Sequence, residues 1–359
     1  MCDLEKNVVE NILLKLVKKN ASDMFIVAGK EISYKANKKI EKIGESKLSA
    51  EETKALIEHI YIIAKRDINI FLERGDDDFS FAVKDLSRFR VNAYKQRGSM
   101  AAIIRIVPFL LPKPDLMNIP KEVTELYNVK RGLVLVTGPS GSGKTTTITS
   151  IINEINEKEA MHIVTLEDPI EYLHSHKKSI ISQREISIDS KDYSLAIRAA
   201  LRQSPDVIMI GELRDDETKR ISLTAAETGH LVIAAMHTFG AASSVDRIID
   251  SFPLSQQEQI RIQLSMVLQT VVSQQLVPTV DGDIIPVFEI MRCNTAVRTL
   301  IRDGRTHQLN AIIQASQDEG MRSMDVTLAQ LYKKGKITKE VAITHAISTA
   351  YINRLIDDM

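Results

Sequence analysis

An α/β fold with a parallel sheet, preceded by a smaller α+β domain, is predicted by three features of this 359-residue chain. Gly138-Pro139-Ser140-Gly141-Ser142-Gly143-Lys144-Thr145 is a complete G-x-x-x-x-G-K-[ST] loop, set directly after the apolar run Leu133 to Val136 and before a helix-forming stretch. Beyond it, short apolar runs alternate with helical periodicity, the order that builds a parallel sheet covered by helices. Ahead of it, between Phe79 and Val107, the apolar period drops to two, as antiparallel strands require.

The elements follow in order. Leu4, Val8, Ile12 and Leu16 recur every four residues among Lys, Glu and Asn, which predicts an amphipathic helix. Met24 to Val27 reads as a short strand and Ala50 to Phe71 as a second helix, leading to the alternating run Phe79 to Val83. In Arg88 to Tyr94, residues Phe89, Val91 and Ala93 share one face while Arg88, Arg90, Asn92 and Tyr94 share the other, the pattern of a half-buried strand. Gln96 to Ser99 turns the chain into Ala101 to Val107, which completes a first domain over 1–107. Prolines at 108, 112, 114 and 120 deny residues 108–120 helix and central-strand hydrogen bonds, so this stretch is expected to be a stiff linker. In the second domain, 121–359, strands are expected at Leu133 to Val136, Ile163 to Leu166, Val207 to Ile210 and Leu231 to Met236. From about 255 to 359 the pattern reads as mostly helical, broken at Pro278 and Pro286, with closing helices at Met324 to Tyr332 and Lys339 to Leu355.

Composition narrows the function. Lys+Arg and Asp+Glu are 47 each, without the basic surplus of a nucleic-acid-wrapping protein, so no direct nucleic-acid partner is expected. No apolar stretch approaches the roughly 18 residues of a membrane span, and the first twenty or so residues lack a signal-peptide core. A cytoplasmic protein is expected, without membrane insertion, that reaches any membrane through a partner. Cys2 and Cys293 are too few for a metal site and are expected to be inert.

Open parallel sheets bind ligands beyond the carboxyl ends of their strands. The first strand ends in the glycine-rich loop, whose backbone N–H groups can turn inward on an anion. Gly138, Pro139, Ser140, Gly141, Ser142, Gly143, Lys144, Thr145 and Thr146 are expected to cradle ATP, with Lys144 on the outer phosphates and the Thr145 hydroxyl on Mg²⁺. The second strand ends in Glu167-Asp168-Pro169-Ile170-Glu171, the third in Gly211-Glu212 and the fourth in His237-Thr238. Glu212 stands where such enzymes place the acid that orders Mg²⁺ and its waters, and either Glu171 or Glu167 can take the proton of an attacking water. His230, just before the fourth strand, and His237, at its end, are each either sensors of the outer phosphate or structural residues. Arg88, Arg90, Arg97 and Arg105 are exposed cations of the first domain, able to meet phosphoryl charge or simply to face solvent.

With these residues in place, the chain resembles the secretion ATPase superfamily that powers type IV pili and type II secretion. The resemblance covers essentially the whole chain. It rests on the Walker A loop at 138–145, Leu-Glu-Asp-Pro-Ile-Glu at 166–171, Ile-Gly-Glu-Leu-Arg-Asp-Asp-Glu-Thr at 210–218, and the histidine box from Ala226 to Thr238. Ala21-Ser22-Asp23, Arg88-Phe89-Arg90-Val91-Asn92-Ala93, and the lack of a cysteine quartet are similar to its retraction branch. The resemblance implies a homohexameric ring, a PAS-like first domain, a RecA-like P-loop domain, and ATP sites between subunits. It implies retraction of a pilus by ATP hydrolysis, work done on an inner-membrane pilus platform protein, and a paralogous ATPase as a further partner. Glu171 becomes the favoured base, Glu212 the Mg²⁺-linked acid, His230 and His237 the histidine-box pair, and Arg90 and Arg105, with Arg97, the arginine fingers. Two departures stand out: Thr299, within Ala296-Val297-Arg298-Thr299-Leu300, replaces the branch's asparagine, and the turn around Arg97 is one residue shorter. Pilus assembly, secretion and competence ATPases of the same superfamily, and a ring adaptor with little turnover, are the alternatives.

Overall fold

The computed structural model describes residues 2–36, 39–84, 86–107, 111 and 113–357, with the backbone alone for residues 2–7. The side chains of Cys2 and Leu4, and Pro108 and Pro112 altogether, lie outside the described residues. The chain divides into two compact units, Met1–Leu110 with Glu171–Leu173, and Leu111–Ile170 with His174–Met359.

The first unit runs α1 (Cys2–Lys18), β1 (Asp23–Ile26), β2 (Ser33–Ala36), β3 (Lys39–Lys42), α2 (Ala50–Ala64), α3 (Asn69–Arg74), β4 (Asp76–Val83), β5 (Ser87–Gln96) and β6 (Ser99–Val107). Its sheet is antiparallel throughout, in the order β3-β2-β1-β6-β5-β4. The alternation in β5 decides its burial: Phe89, Val91 and Ala93 are inside, and Arg88, Arg90, Asn92 and Tyr94 are half-buried on the other face. Helix α2 opens with a capping box, in which Ser49 and Glu52 each satisfy the other's backbone N–H. The single helix expected over 50–71 is two helices. Lys65 takes the left-handed conformation at φ 52°, and Arg66 leaves the helix to pair with Asp77 through Nε at 2.7 Å and Nη2 at 2.6 Å. Tyr61 donates to the same carboxylate at 2.9 Å. Burial pushes the Tyr61 phenol well above its usual range, so it stays a donor.

The second unit contains α4 (Lys121–Thr124), β7 (Gly132–Thr137), α5 (Lys144–Lys158), β8 (His162–Glu167), β9 (Ile180–Glu185), α6 (Tyr193–Ala200), β10 (Val207–Ile210), α7 (Asp216–Glu227), β11 (Leu231–Met236) and α8 (Ala241–Asp250). Then come α9 (Leu254–Val267), β12 (Leu268–Pro278), β13 (Ile284–Arg292), α10 (Thr295–Arg302), α11 (Leu309–Ala315), α12 (Met324–Lys333), α13 (Lys339–Thr344) and α14 (Thr349–Asp357). The sheet order is β13-β12-β7-β11-β10-β8-β9, parallel from β12 to β9, with β13 antiparallel at one edge. Both faces are covered. Val134 and Val136 of β7 pack with Ile148, Ile151 and Ile152 of α5, while Leu133 and Leu135 face the cluster that holds residues of α6 to α11. Each such aliphatic side chain contributes about 1.5–3 kcal/mol by leaving water.

The helical reading after Ser255 is corrected over 268–292, where β12 and β13 pair along nine registered positions. β12 is buried on both faces and so shows no clean alternation. The prolines taken for helix breaks are strand residues: Pro278 ends β12, and Pro286 sits on edge strand β13, where a missing N–H is tolerated. The closing helix expected over 339–355 is also two helices, because Asp325 accepts the N–H groups of Ile347 at 2.6 Å and Ser348 at 3.0 Å between α13 and α14. Within the proline-rich stretch, Pro114–Met117 makes one 3₁₀ turn, with proline at its start, where no N–H is needed. On β12, Gln274 and Gln275 are both buried, and Gln275 exchanges hydrogen bonds with His345, donating to its carbonyl at 2.8 Å and meeting its Nδ1 at 2.9 Å. No helix among the described residues is long and apolar enough to cross a membrane.

Candidate active site

The loop between β7 and α5 turns on Gly138, Gly141 and Gly143, with φ of 149°, 77° and 86°. Two of these glycines are needed for close approach as well. A Cβ on Gly138 would lie 2.2 Å from the Gln274 carbonyl oxygen, and one on Gly143 would lie 2.9 Å from Gln274 Nε2. Gln274 also accepts the Thr147 hydroxyl at 2.6 Å, which fixes the first turn of α5 to β12. Helix α5 begins at Gly143 without a side-chain cap, so its leading N–H groups are left for an anion. Ser142 Oγ is buried in the same loop with no protein partner.

Lys144, 8% exposed, donates to the carbonyls of Gly138 and Pro139, both at 2.9 Å. Its Nζ is 3.3 Å from His237 Nδ1, which also lies 3.4 Å from Ser140 Oγ. The other ring nitrogen, Nε2, is 3.4 Å from Glu212 Oε1. A lysine ammonium only donates, so Nδ1 accepts and the proton of a neutral ring sits on Nε2, aimed at the carboxylate. Glu212 Oε2 accepts Arg214 Nε at 2.7 Å, and Arg214 Nη1 is 3.4 Å from Asp168 Oδ2. The Glu212 bond raises the Arg214 guanidinium still further.

Three of the expected groups, Lys144, Glu212 and His237, are thus in contact at the carboxyl ends of β7, β10 and β11. The topology explains it, since β11 lies between β7 and β10. Glu167 ends β8 but is buried, with Oε1 accepting the Thr165 hydroxyl at 2.6 Å and Gln183 Nε2 at 3.1 Å. His230 is not brought to this cluster: it precedes β11 at the opposite end of the strand from His237. Its Nδ1 is 3.0 Å from the Ala225 carbonyl and 3.2 Å from the Thr228 hydroxyl. Glu171 is exposed, and with Arg90 and Arg105 it belongs to the first unit. There Arg90 and Arg105 stand directly opposite each other on β5 and β6, and Arg105 Nε is 3.0 Å from Asp23.

Sequence reasoning missed Gln274 and Tyr193. Tyr193 is buried with its hydroxyl 2.8 Å from where a Cβ on Gly211 would stand, which accounts for glycine before Glu212. Burial, with Asp168 next, pushes its phenol well above the usual range. The Cys293 thiol is pushed up to about 12 by burial, which keeps it a thiol. Among the described residues no cluster of three or more His, Cys, Asp or Glu forms a metal cage. The donors present suit Mg²⁺ all the same, since that ion takes few protein ligands and the Thr145 hydroxyl and Glu212 carboxylate would offer hard oxygens.

Among known proteins, a twitching motility protein of Neisseria gonorrhoeae is 42% identical over 302 residues, 84% of this chain and 80% of its own. The type IV pilus retraction ATPase PilT of Pseudomonas aeruginosa is 39% identical over 335 residues, 93% of this chain and 96% of its own. A crystal structure of the pilus retraction motor PilT with bound ADP superposes with a TM-score of 0.88 at 42% identity, covering 97% of this chain and 99% of that one. The family described as type II/IV secretion system protein matches residues 3–343, and the chain belongs to it.

Proposed function

We propose that this chain is an ATPase motor that hydrolyses ATP to drive type IV pilus retraction. It works in the cytoplasm as a homohexameric ring, recruited to the inner face of the membrane by a pilus platform protein and partnered by a paralogous ATPase. In this reading the second unit is the RecA-like ATPase domain and the first a PAS-like domain. The contact of Lys144, His237 and Glu212 beside an uncapped helix carries the proposal.

ATP phosphates seat on the N–H groups that open α5, with Gly138 to Thr146 as the cradle. Lys144 exchanges its bonds to the Gly138 and Pro139 carbonyls for the outer phosphates. The Thr145 hydroxyl and Glu212 would hold Mg²⁺, which would supply positive charge to offset that of the phosphates. Glu171 takes the proton of the attacking water; the bonds already made by Glu167 Oε1 suit an anchor better than a base. His237 registers the outer phosphate because that phosphate competes for the Lys144 ammonium beside it. Arg90 and Arg105 serve as fingers: they stand opposite one another on β5 and β6, and although Asp23 already offsets Arg105, two cations side by side favour a phosphoryl anion. Such fingers contribute about 10³–10⁵ in rate.

The test is ATP turnover by the purified ring in wild type and Glu171→Gln, with size measured alongside. The variant is expected to bind ATP and lose about 10²–10⁴ in turnover, and full turnover would remove Glu171 from its role. Deleting the gene should abolish retraction and leave surplus surface pili; absent pili or absent secretion would point to an assembly or secretion motor instead. A hexamer that binds ATP without turning it over would point to an adaptor.

A further inference from the structure

We propose that Gln183, assisted by Glu185, is a positioning residue that holds the segment bearing Glu171 in place for hydrolysis; this rests on Glu171 being the base. Both lie on β9, the edge strand that the sequence did not reveal. In the β8–β9 register Gln183 stands opposite Thr165 and Glu185 opposite Glu167, so all four side chains share one face at the sheet edge.

Gln183 ties two things together. Its Oε1 accepts the backbone N–H of His174 at 2.8 Å, and its Nε2 donates to Glu167 Oε1 at 3.1 Å. The chemistry fixes this orientation of the amide, since a backbone N–H only donates and a carboxylate only accepts. Glu185, 4% exposed, accepts the N–H of Ile170 at 3.3 Å. The two backbone groups that flank residues 171–173 therefore both end on side chains of one strand. Glu167, held also by the Thr165 hydroxyl at 2.6 Å, gives Gln183 a rigid reference on β8, which neighbours the strand that leads to Glu212.

A base on an irregular segment must come within hydrogen-bond reach of a water, and a displacement of about 1 Å can cost on the order of 100-fold in rate. Gln183 contributes by limiting that displacement without touching the substrate itself.

Gln183→Met keeps the length of the side chain and removes the bonds to His174 and Glu167. Its kcat is expected to fall about 10- to 100-fold, with KM for MgATP within about twofold and with size and melting temperature near wild type. Gln183→Glu gives a signal that a merely structural role would not. The introduced carboxylate still accepts from His174 but faces Glu167, and two carboxylates there share a proton as pH falls. Its turnover relative to wild type is therefore expected to recover between pH 8 and pH 6. Unchanged kcat in Gln183→Met, or a pH-independent defect in Gln183→Glu, would overturn the proposal. If Gln183→Met does not fold, the pH profile of Gln183→Glu decides. Glu171→Gln run in parallel separates the two readings: full turnover there removes the base and this inference with it. An inactive Glu171→Gln beside a fully active Gln183→Met overturns the positioning alone.

Discussion

At the scale of single residues, His237 joins Lys144 to Glu212 with one ring. Nδ1 faces Lys144 and Nε2 faces Glu212, so one side chain touches both the lysine and the acid. Hydrogen bonds to charged groups are worth about 1.5–3 kcal/mol. His237→Ala is therefore expected to lower kcat by roughly 10- to 100-fold with ATP binding retained; an equilibrium binding assay beside steady-state turnover checks both halves. Lys144 is legible in the sequence from the glycine-rich motif it completes, and Glu212 and His237 from the apolar runs they follow, since strand ends can be read from such runs. His230 lies seven positions earlier in the same motif, at the other end of a strand that spans about 20 Å, so the two histidines do not share one cluster. Gln274 and Tyr193 carry neither charge nor motif, and only their tertiary neighbours reveal them.

At the scale of elements, β9 and β12 are among the strands that the sequence does not reveal. β9 is mostly polar, and β12 is buried on both faces, so neither shows the alternation by which β5 was recognised. Polar side chains hide β9 and two-sided burial hides β12. Gln274 of β12 pins α5 through Thr147. Gln274→Leu leaves a buried hydroxyl without its partner and is expected to lower the unfolding free energy by about 1–3 kcal/mol. Adding Thr147→Val should cost less than the sum of the two changes, which denaturant unfolding of the double-mutant cycle tests.

At the scale of the whole molecule, the second unit stores a pH dependence in its interior. Glu289 is 2% exposed and accepts the N–H of Ala241 at 2.7 Å and of Met324 at 3.5 Å. Burial raises its carboxyl to about 7, with Asp325 nearby adding to the shift, and Asp325 is raised by burial in its turn. Unfolded, a glutamate titrates near 4.3. Between these values the native state holds a proton that the unfolded state has lost, so stability is fullest below the lower value and falls as pH rises through about 7. The loss is on the order of 3 kcal/mol. Glu289→Gln should therefore gain on wild type in melting temperature from pH 5 to pH 8, with Asp325 leaving a smaller slope of the same sign. The two-unit division has its trace in the sequence, where the apolar period changes on either side of the prolines, but a buried carboxylate needs the fold to disclose it. The neighbouring glutamines of β12 have a mechanical consequence. Consecutive residues of a strand point to opposite faces, so Gln274 grips the phosphate-loop helix on one side and Gln275 grips His345 on the other. Because β12 is itself paired to β7 and β13 along its length, the helix after the glycine-rich loop and the segment that joins the closing helices share one stiff support.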